Sequence, residues 1–395
     1  MDIGYLPWTK PETFAQRPCV RDDNTGLTYG EFTQRIDALA GQLSRALVGY
    51  GDTVAVMIPP RVELLVAVFA VWRTGAVVTL VNPEYTDTEV KAQIADAEAN
   101  FVINLDADFP DAGLPVLHVP DFDTEPRPES VPDNAIVDDE LALVLYPSDP
   151  DSPRGVMLSH GNLMAMSSQI STHVWASSSD HGLLLSPTFH EGAALLNVLT
   201  AVLAGAQLTV TTTWCPKSFL DTVANLKPTV IAGLPHHYAD LAALPDLATA
   251  DTSSLRLAVS GEAPISATLV DTIEELFDLI MIEAYGAPEA TCYSVVDQID
   301  GVRKPGTVGR VVPGQAIKIV DADGNDLPAG VEGEVLISGP TIMQGYLNKP
   351  EETARTIVEG WLHTGDRGRI DEEGYLTLVG NPDGAVPLLR DTATG

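Results

Sequence analysis

The residues with the most chemical promise lie between Leu141 and Leu163, LALVLYPSDPDSPRGVMLSHGNL. The apolar run Leu141–Tyr146 predicts a buried strand, and His160-Gly161-Asn162-Leu163 leads into a Met/Ala/Ser segment that predicts a helix. Strand, small-residue loop and helix together cradle phosphate, because loop amides and the helix N-terminus converge on the anion. This loop is poorly equipped for that task. Pro147, Pro150 and Pro153 carry no amide hydrogen. Asp149 and Asp151 would meet a polyanion with like charge, and Gly155 is the only glycine between the strand and His160. The Walker pattern GxxxxGK(S/T) is absent. Arg154 is the available cation, with a donor fork suited to phosphate. Its competing role is a surface ion pair with Asp149 or Asp151, worth ~0–1 kcal/mol.

The elements that must hold these residues read as alternating helices and strands. Thr28 and Glu31 form a capping box, followed by the apolar face Phe32, Ile36, Leu39, Ala40 and Leu43. Strands are expected at Thr53–Ile58, Val77–Val81 and Phe101–Leu105, with a buried helix at Glu63–Thr74 and another at Thr88–Ala99. Such alternation predicts a parallel sheet covered on both faces. Residues 106–140 are Pro- and Asp-rich and read as surface loop with an edge strand. Strands at Leu183–Leu185, Gln207–Val210, Val230–Ala232 and Leu255–Val259 suggest a second sheet of the same kind. Short strands at Ala316–Val320, Gly333–Ser338 and Tyr375–Val379 predict a small β-rich unit. Residues 381–395, NPDGAVPLLRDTATG, read as linker.

Composition sets outer bounds. A chain of 395 residues, 45% apolar, supports a substantial core. A net charge of −33 disfavours nucleic acid and anionic membrane as partners. Cys19, Cys215 and Cys292 are odd in number and far apart, which argues against a disulfide framework or metal cluster and for a reducing compartment. The N-terminus MDIGYLPWTK lacks a signal pattern, and the longest apolar run, Leu64–Trp72, is too short for a membrane span. The expectation is a soluble cytoplasmic protein.

Residues 148–163 resemble the phosphate loop of the adenylate-forming family: acyl-CoA synthetases, fatty acyl-AMP ligases, nonribosomal adenylation domains and luciferases. That loop reads roughly YTSGTTGxPKGVxLTHxNL. Tyr146, Ser148, Pro153, Gly155, Val156, Leu158, His160, Asn162 and Leu163 match it. Arg154 stands where the family has lysine, and Asp149-Pro150-Asp151-Ser152 replaces the Ser/Thr/Gly core. The opening from Leu27 to Thr86 resembles the same family. So do Ser186-Pro187-Thr188-Phe189-His190 (PxFH), Val259–Pro264 (SGGAPL, with Glu262 for a glycine), Tyr285–Glu289 (YGxTE) and Trp361–Asp366 (W(L/Y)xTGD). The last, flanked by Gly345-Tyr346, Asn348–Thr353 and Asp371–Tyr375, is the most specific match, and the resemblance covers residues 12–380.

The resemblance implies an α/β fold: the N-terminal domain of an adenylate-forming enzyme, residues 1–380. Two αβ-layered subdomains (about 1–170 and 171–305) would be joined by a small distorted β-barrel (306–380), with 381–395 a hinge remnant. It implies formation of acyl-AMP and pyrophosphate from a small carboxylic acid and ATP, with Mg²⁺. Transfer to CoA or an acyl carrier protein would follow in many members. Glu289, Arg154 and His190 would be catalytic, and Glu289 would bind the metal. Ser148, Ser152, Ala263, Pro264, Tyr285, Gly286 and Asp366 would bind nucleotide, with Tyr285 on adenine and Asp366 on the ribose hydroxyls. His190, Gly233, His236, His237 and Ala287 would line the acyl pocket, although the three histidines and Glu289 also suit ordinary structural roles. The family's threonine in YGxTE is Pro288, and its arginine after Gly380 is Asn381. A lysine-bearing C-terminal domain normally follows, and none is present before Gly395. Two readings therefore stand: an acyl-adenylate-forming ligase with rebuilt phosphate contacts, or a non-catalytic binding protein for an adenylate or acyl ligand.

Overall fold

The computed structural model describes residues 3–105, 113–119, 136–147, 153–174, 178–185, 189, 192–244, 250–261 and 263–379. The expected capping box opens the helix Tyr29–Arg45: the Thr28 hydroxyl accepts from the Glu31 amide at 3.2 Å, and the Glu31 carboxylate accepts from the Thr28 amide at 2.8 Å. A second box, Thr86 with Glu89, starts the helix Asp87–Asp96 just before its expected position. The helix Val62–Arg73 is buried along nearly its whole length, and its Trp72 indole donates to Ala142 O at 2.8 Å.

Two large sheets carry the fold. Among the described residues the first has seven strands. Its parallel core is Val116–His118, Phe101–Asn104, Thr53–Met57, Val77–Leu80 and Leu141–Leu145 in spatial order. Antiparallel Val156–Ser159 and Gly345-Tyr346 close one edge. The second has nine strands among the described residues, with Ile280–Tyr285, Leu257–Ser260, Val230–Gly233, His181–Leu184, Gln207–Val210 and Pro18–Arg21 parallel in that order. Its edge strand Gly26–Thr28 comes from the start of the chain, so neither sheet is built from one continuous stretch.

Helices meet between the sheets. Tyr29–Arg45 packs on Val62–Arg73, and His160–Val174 packs on Ala193–Ala204, so one apolar core runs through both sheets. A third, antiparallel sheet contains Ala316–Val320, Gly333–Ser338, Trp361–Ile370, Ile357-Val358 and Leu376–Val379. It curls as a half-barrel. An Arg310–Tyr375 bridge ties it to the edge of the nine-stranded sheet. No helix among the described residues is long and apolar enough to cross a membrane.

One expectation is corrected. The loop after Leu145 does not lead directly into a helix, because the strand Val156–Ser159 intervenes and pairs antiparallel with Leu141–Leu145. Val156 lies opposite Leu145 and Ser159 opposite Leu141. The helix therefore starts roughly 13 Å from the Leu145/Val156 end, at about 3.3 Å per strand residue. Its first amides are also committed. His160 N donates to Glu140 O at 3.0 Å, Gly161 N to Asp138 O at 2.7 Å and Asn162 N to Ser159 Oγ at 3.1 Å. The short run Val-Met-Leu-Ser had no turn signal to separate it from the helix.

Candidate active site

Several of the expected site residues, Gly233, Ala263, Pro264, Tyr285, Gly286 and Ala287, lie at or just beyond the carboxyl edge of the nine-stranded sheet. Gly233, Ser260 and Glu283 are register partners on three neighbouring parallel strands. The motifs around His236-His237, Ala263-Pro264 and Gly286-Ala287 follow those strand ends. Ligands bind beyond the carboxyl ends of strands in open α/β sheets. Ala263 is half-buried and Pro264 exposed. Their segment is held close because Glu283 accepts from the Ile265 amide.

Tyr285 ends its strand and donates to Asp366 Oδ2 at 2.6 Å. Such a bond to a charged acceptor contributes about 1.5–3 kcal/mol. Asp366 arrives from the third sheet through an irregular pairing between Glu334 and Leu336, with Gly365 at φ 74°. Irregular strand pairing of this kind re-aims side chains. Thr364 anchors the turn, donating to Val335 O at 2.7 Å and accepting from the Asp366 amide at 3.1 Å. Burial raises the Asp366 carboxyl above its ordinary range, and the charges of Glu289 and Glu334 add to the rise while Tyr285 opposes it. Glu289 and Asp366 therefore share one electrostatic neighbourhood.

Past Tyr285 the chain turns through Gly286. A Cβ there would stand 2.1 Å from Cys292 O, so only glycine fits. A short 3-10 turn, Pro288–Ala290, follows, and the chain then returns antiparallel as Val295-Val296. Glu289 lies on this tip, half-buried. Met343 N donates to Glu289 O at 2.8 Å, and Tyr346 donates to Glu289 Oε1 at 2.7 Å. Ala287 and Pro288 are buried.

The loop side is organised differently. Ser148, Asp149, Asp151 and Ser152 lie outside the described residues, as do His190, Glu262 and Asn381. The partner found for Arg154 is distant Glu352, at 3.3 Å, with both side chains partly exposed. The Arg154 guanidinium lies 5.6 Å from the centre of the Tyr346 ring. Lys349 donates to Pro153 O, and Leu347 N donates to Gly155 O at 2.8 Å. The described exit of the loop is thus fastened to residues 345–352.

Not all expected residues converge. His237 is buried and accepts from Leu234 N at 3.0 Å as a helix cap, against Trp214. Burial, aided by the charge of His236, pushes it down to about 3. His236 is exposed. Sequence reasoning left Tyr346 and Thr364 out of the site, although both sat inside quoted motifs. It also missed the half-buried Glu283 and the buried Asp297, for which no sequence signal exists. Glu283 N donates to Asp297 Oδ2 at 3.2 Å. Burial, with repulsion from Asp297, pushes Glu283 up to about 7.

Comparison with known proteins fits this geometry. The chain is 30% identical to a feruloyl-CoA synthase of an Amycolatopsis species over 95% of its own length and 78% of the relative's. MatB from Rhodopseudomonas palustris, solved with ATP bound, superposes with a TM-score of 0.88 at 27% identity, covering 96% of this chain and 79% of that one. The anthranilate CoA ligase AuaEII, solved with anthranoyl-AMP, shares the fold at a TM-score of 0.89 and 22% identity, over 97% of this chain and 77% of that one. Residues 8–347 match the AMP-binding enzyme family, and the chain belongs to that family of adenylate-forming ligases.

Proposed function

We propose that the chain binds a small carboxylic acid and an adenine nucleotide as acid and adenylate, and that its grip on the nucleoside is stronger than its grip on the polyphosphate. The observation that carries this is the Tyr285–Asp366 hydrogen bond of 2.6 Å. It joins the carboxyl edge of the nine-stranded sheet to the third sheet. Tyr285 stacks on adenine beside Ala263-Pro264, and Asp366 accepts from the ribose hydroxyls. Gly233, His236 and Ala287 face the acyl group, and His190, outside the described residues, joins them on its motif alone. CoA, as in the names of the relatives, is the candidate thiol acceptor, with a carrier protein the other.

Glu289 suits Mg²⁺ borne on a nucleotide. No group of three His, Cys, Asp or Glu that could hold a metal occurs among the described residues. Mg²⁺, however, typically takes one or two carboxylates together with substrate phosphates and water. Burial raises the Asp366 carboxyl, and the nearby charges of Glu289 and Glu334 add to the rise, so a cation at Glu289 would ease that repulsion. The metal would neutralise charge on the phosphates. In this chain Glu289 would hold it and Arg154 would approach the phosphates, while Tyr285 with Asp366 would fix the nucleoside beside the acid.

Three features support weak phosphate binding. Buried Pro288 stands where relatives of this motif place a threonine, so it offers neither hydroxyl nor amide. Arg154 is engaged with Glu352. Asp149 and Asp151 bring like charge, and two unit charges ~4 Å apart interact by about 1 kcal/mol in water and ~4 kcal/mol at an effective dielectric of about 20. Pro288 also favours the second reading, a binding protein that holds adenylate without forming it. Calorimetric titration is the test, with AMP expected to bind at least as tightly as Mg-ATP. Mg-ATP tighter by more than ~10-fold would refute the proposal. Carboxylate-dependent pyrophosphate exchange separates the readings: slow exchange marks a ligase, and none marks a binding protein.

A further inference from the structure

Tyr346 reaches Glu289 from the far side of the fold. It pairs antiparallel with Val156 at the edge of the seven-stranded sheet, and its amide donates to the Thr353 hydroxyl at 2.9 Å. Its side chain is only 4% exposed. Its hydroxyl donates to Glu289 Oε1 at 2.7 Å, and the Thr356 hydroxyl is a second hydrogen-bond partner of the same group. The segment before Tyr346 also holds the Glu289 turn: Met343 N donates to Glu289 O, and Thr291 donates to Thr341 O at 2.6 Å. One segment, Thr341–Tyr346, thus fixes both the backbone and one carboxylate oxygen of the Glu289 turn. The other oxygen, Oε2, is where a cation would sit.

We propose that Tyr346 is a positioning residue: its hydroxyl pins Glu289 Oε1 so that Oε2 meets the nucleotide-bound divalent cation, while its ring keeps the Arg154 guanidinium beside the loop. The inference rests on the reading of Glu289 as the metal carboxylate. Outer partners that orient a ligating carboxylate typically change metal affinity by about 10–100-fold. Tyr346→Phe removes only the hydroxyl and leaves the ring that packs against Arg154.

The experiment measures Mn²⁺ binding to the full chain in complex with a non-hydrolysable ATP analogue, by the electron paramagnetic resonance of free Mn²⁺. AMP affinity without divalent cations is read in parallel. Tyr346→Phe is expected to weaken Mn²⁺ binding about 10-fold or more, with divalent-free AMP affinity unchanged. Glu289→Gln is expected to weaken Mn²⁺ binding at least as much. If Glu289→Gln weakens it and Tyr346→Phe does not, the positioning role falls and the metal carboxylate stands. If Tyr346→Phe also loses divalent-free AMP binding, the hydroxyl is structural and the inference is overturned. If wild-type protein takes no Mn²⁺, or Glu289→Gln binds it unchanged, the Glu289 reading fails and the inference fails with it.

Discussion

The two sides of the candidate site are built on opposite principles. On the nucleoside side, buried acceptors already hold their donors: Tyr285 to Asp366 at 2.6 Å, with Thr364 bracing the turn. On the phosphate side, Arg154 is a partly exposed cation matched to a partly exposed acid, Glu352, at 3.3 Å. Buried, hydrogen-bonded carboxylates are preorganised for neutral donors such as ribose hydroxyls. An exposed arginine already neutralised by glutamate has to give up that partner before it serves a phosphate. On the proposed reading, nucleoside recognition would be part of the folded structure, whereas phosphate recognition would compete with surface electrostatics.

Four measurements sharpen or break the contrast. The largest effect is expected beneath the nucleoside side, where Glu283 is pushed up to about 7 by burial and by Asp297. Its value in the folded protein lies above its unfolded one, so folding costs most when the group is charged. Its contribution to stability falls as pH rises from about 4.5 to 7, and the penalty is absent below that window. Glu283→Gln should therefore stabilise the protein by up to about 3 kcal/mol at pH 8 and scarcely at all at pH 4.5. Urea unfolding at both pH values checks this, and an equal gain at both would refute the assignment.

Next is Asp366→Asn, which keeps the volume and removes the charge. Hydrogen bonds to a charged acceptor contribute about 1.5–3 kcal/mol, so AMP affinity should fall by about 30-fold in calorimetry. Unchanged affinity would remove Asp366 from the nucleoside site. The AMP versus Mg-ATP titration comes third, with an expected preference for AMP of up to ~10-fold. The smallest effect belongs to Arg154. Its pair with Glu352 is worth ~0–1 kcal/mol, so Glu352→Ala should tighten ATP by at most about 5-fold and leave AMP unaffected. Weaker ATP binding in Glu352→Ala would mean that Glu352 holds Arg154 in place for the phosphate rather than away from it.

Local chemistry was legible along the chain. Thr28 with Glu31 gives a capping box because both groups sit within one turn, and Val77–Leu80 is a strand because its residues are buried on both faces. Val156–Ser159 was not legible as a strand, because four residues beside a helix carry too little periodicity and the pairing that makes them a strand comes from Leu141–Leu145. The partner of Arg154 escaped for a similar reason: nearby Asp149 and Asp151 were the candidates in sequence, and Glu352 is near only in space.

The sequence by itself determined the family, the alternation of strands and helices along most of the chain, and the identities of Tyr285, Glu289 and Asp366 as the residues to watch, since each sits inside a run whose residue types and spacing are specific. Only the tertiary structure decided what those residues touch. Asp366 meets Tyr285 because irregular pairing in one sheet turns its side chain toward the end of a strand in another. Tyr346 meets Glu289 because a two-residue strand crosses to the first sheet. Contacts of this kind form only when separate sheets pack, and no local pattern in the chain encodes which side chains will then face one another.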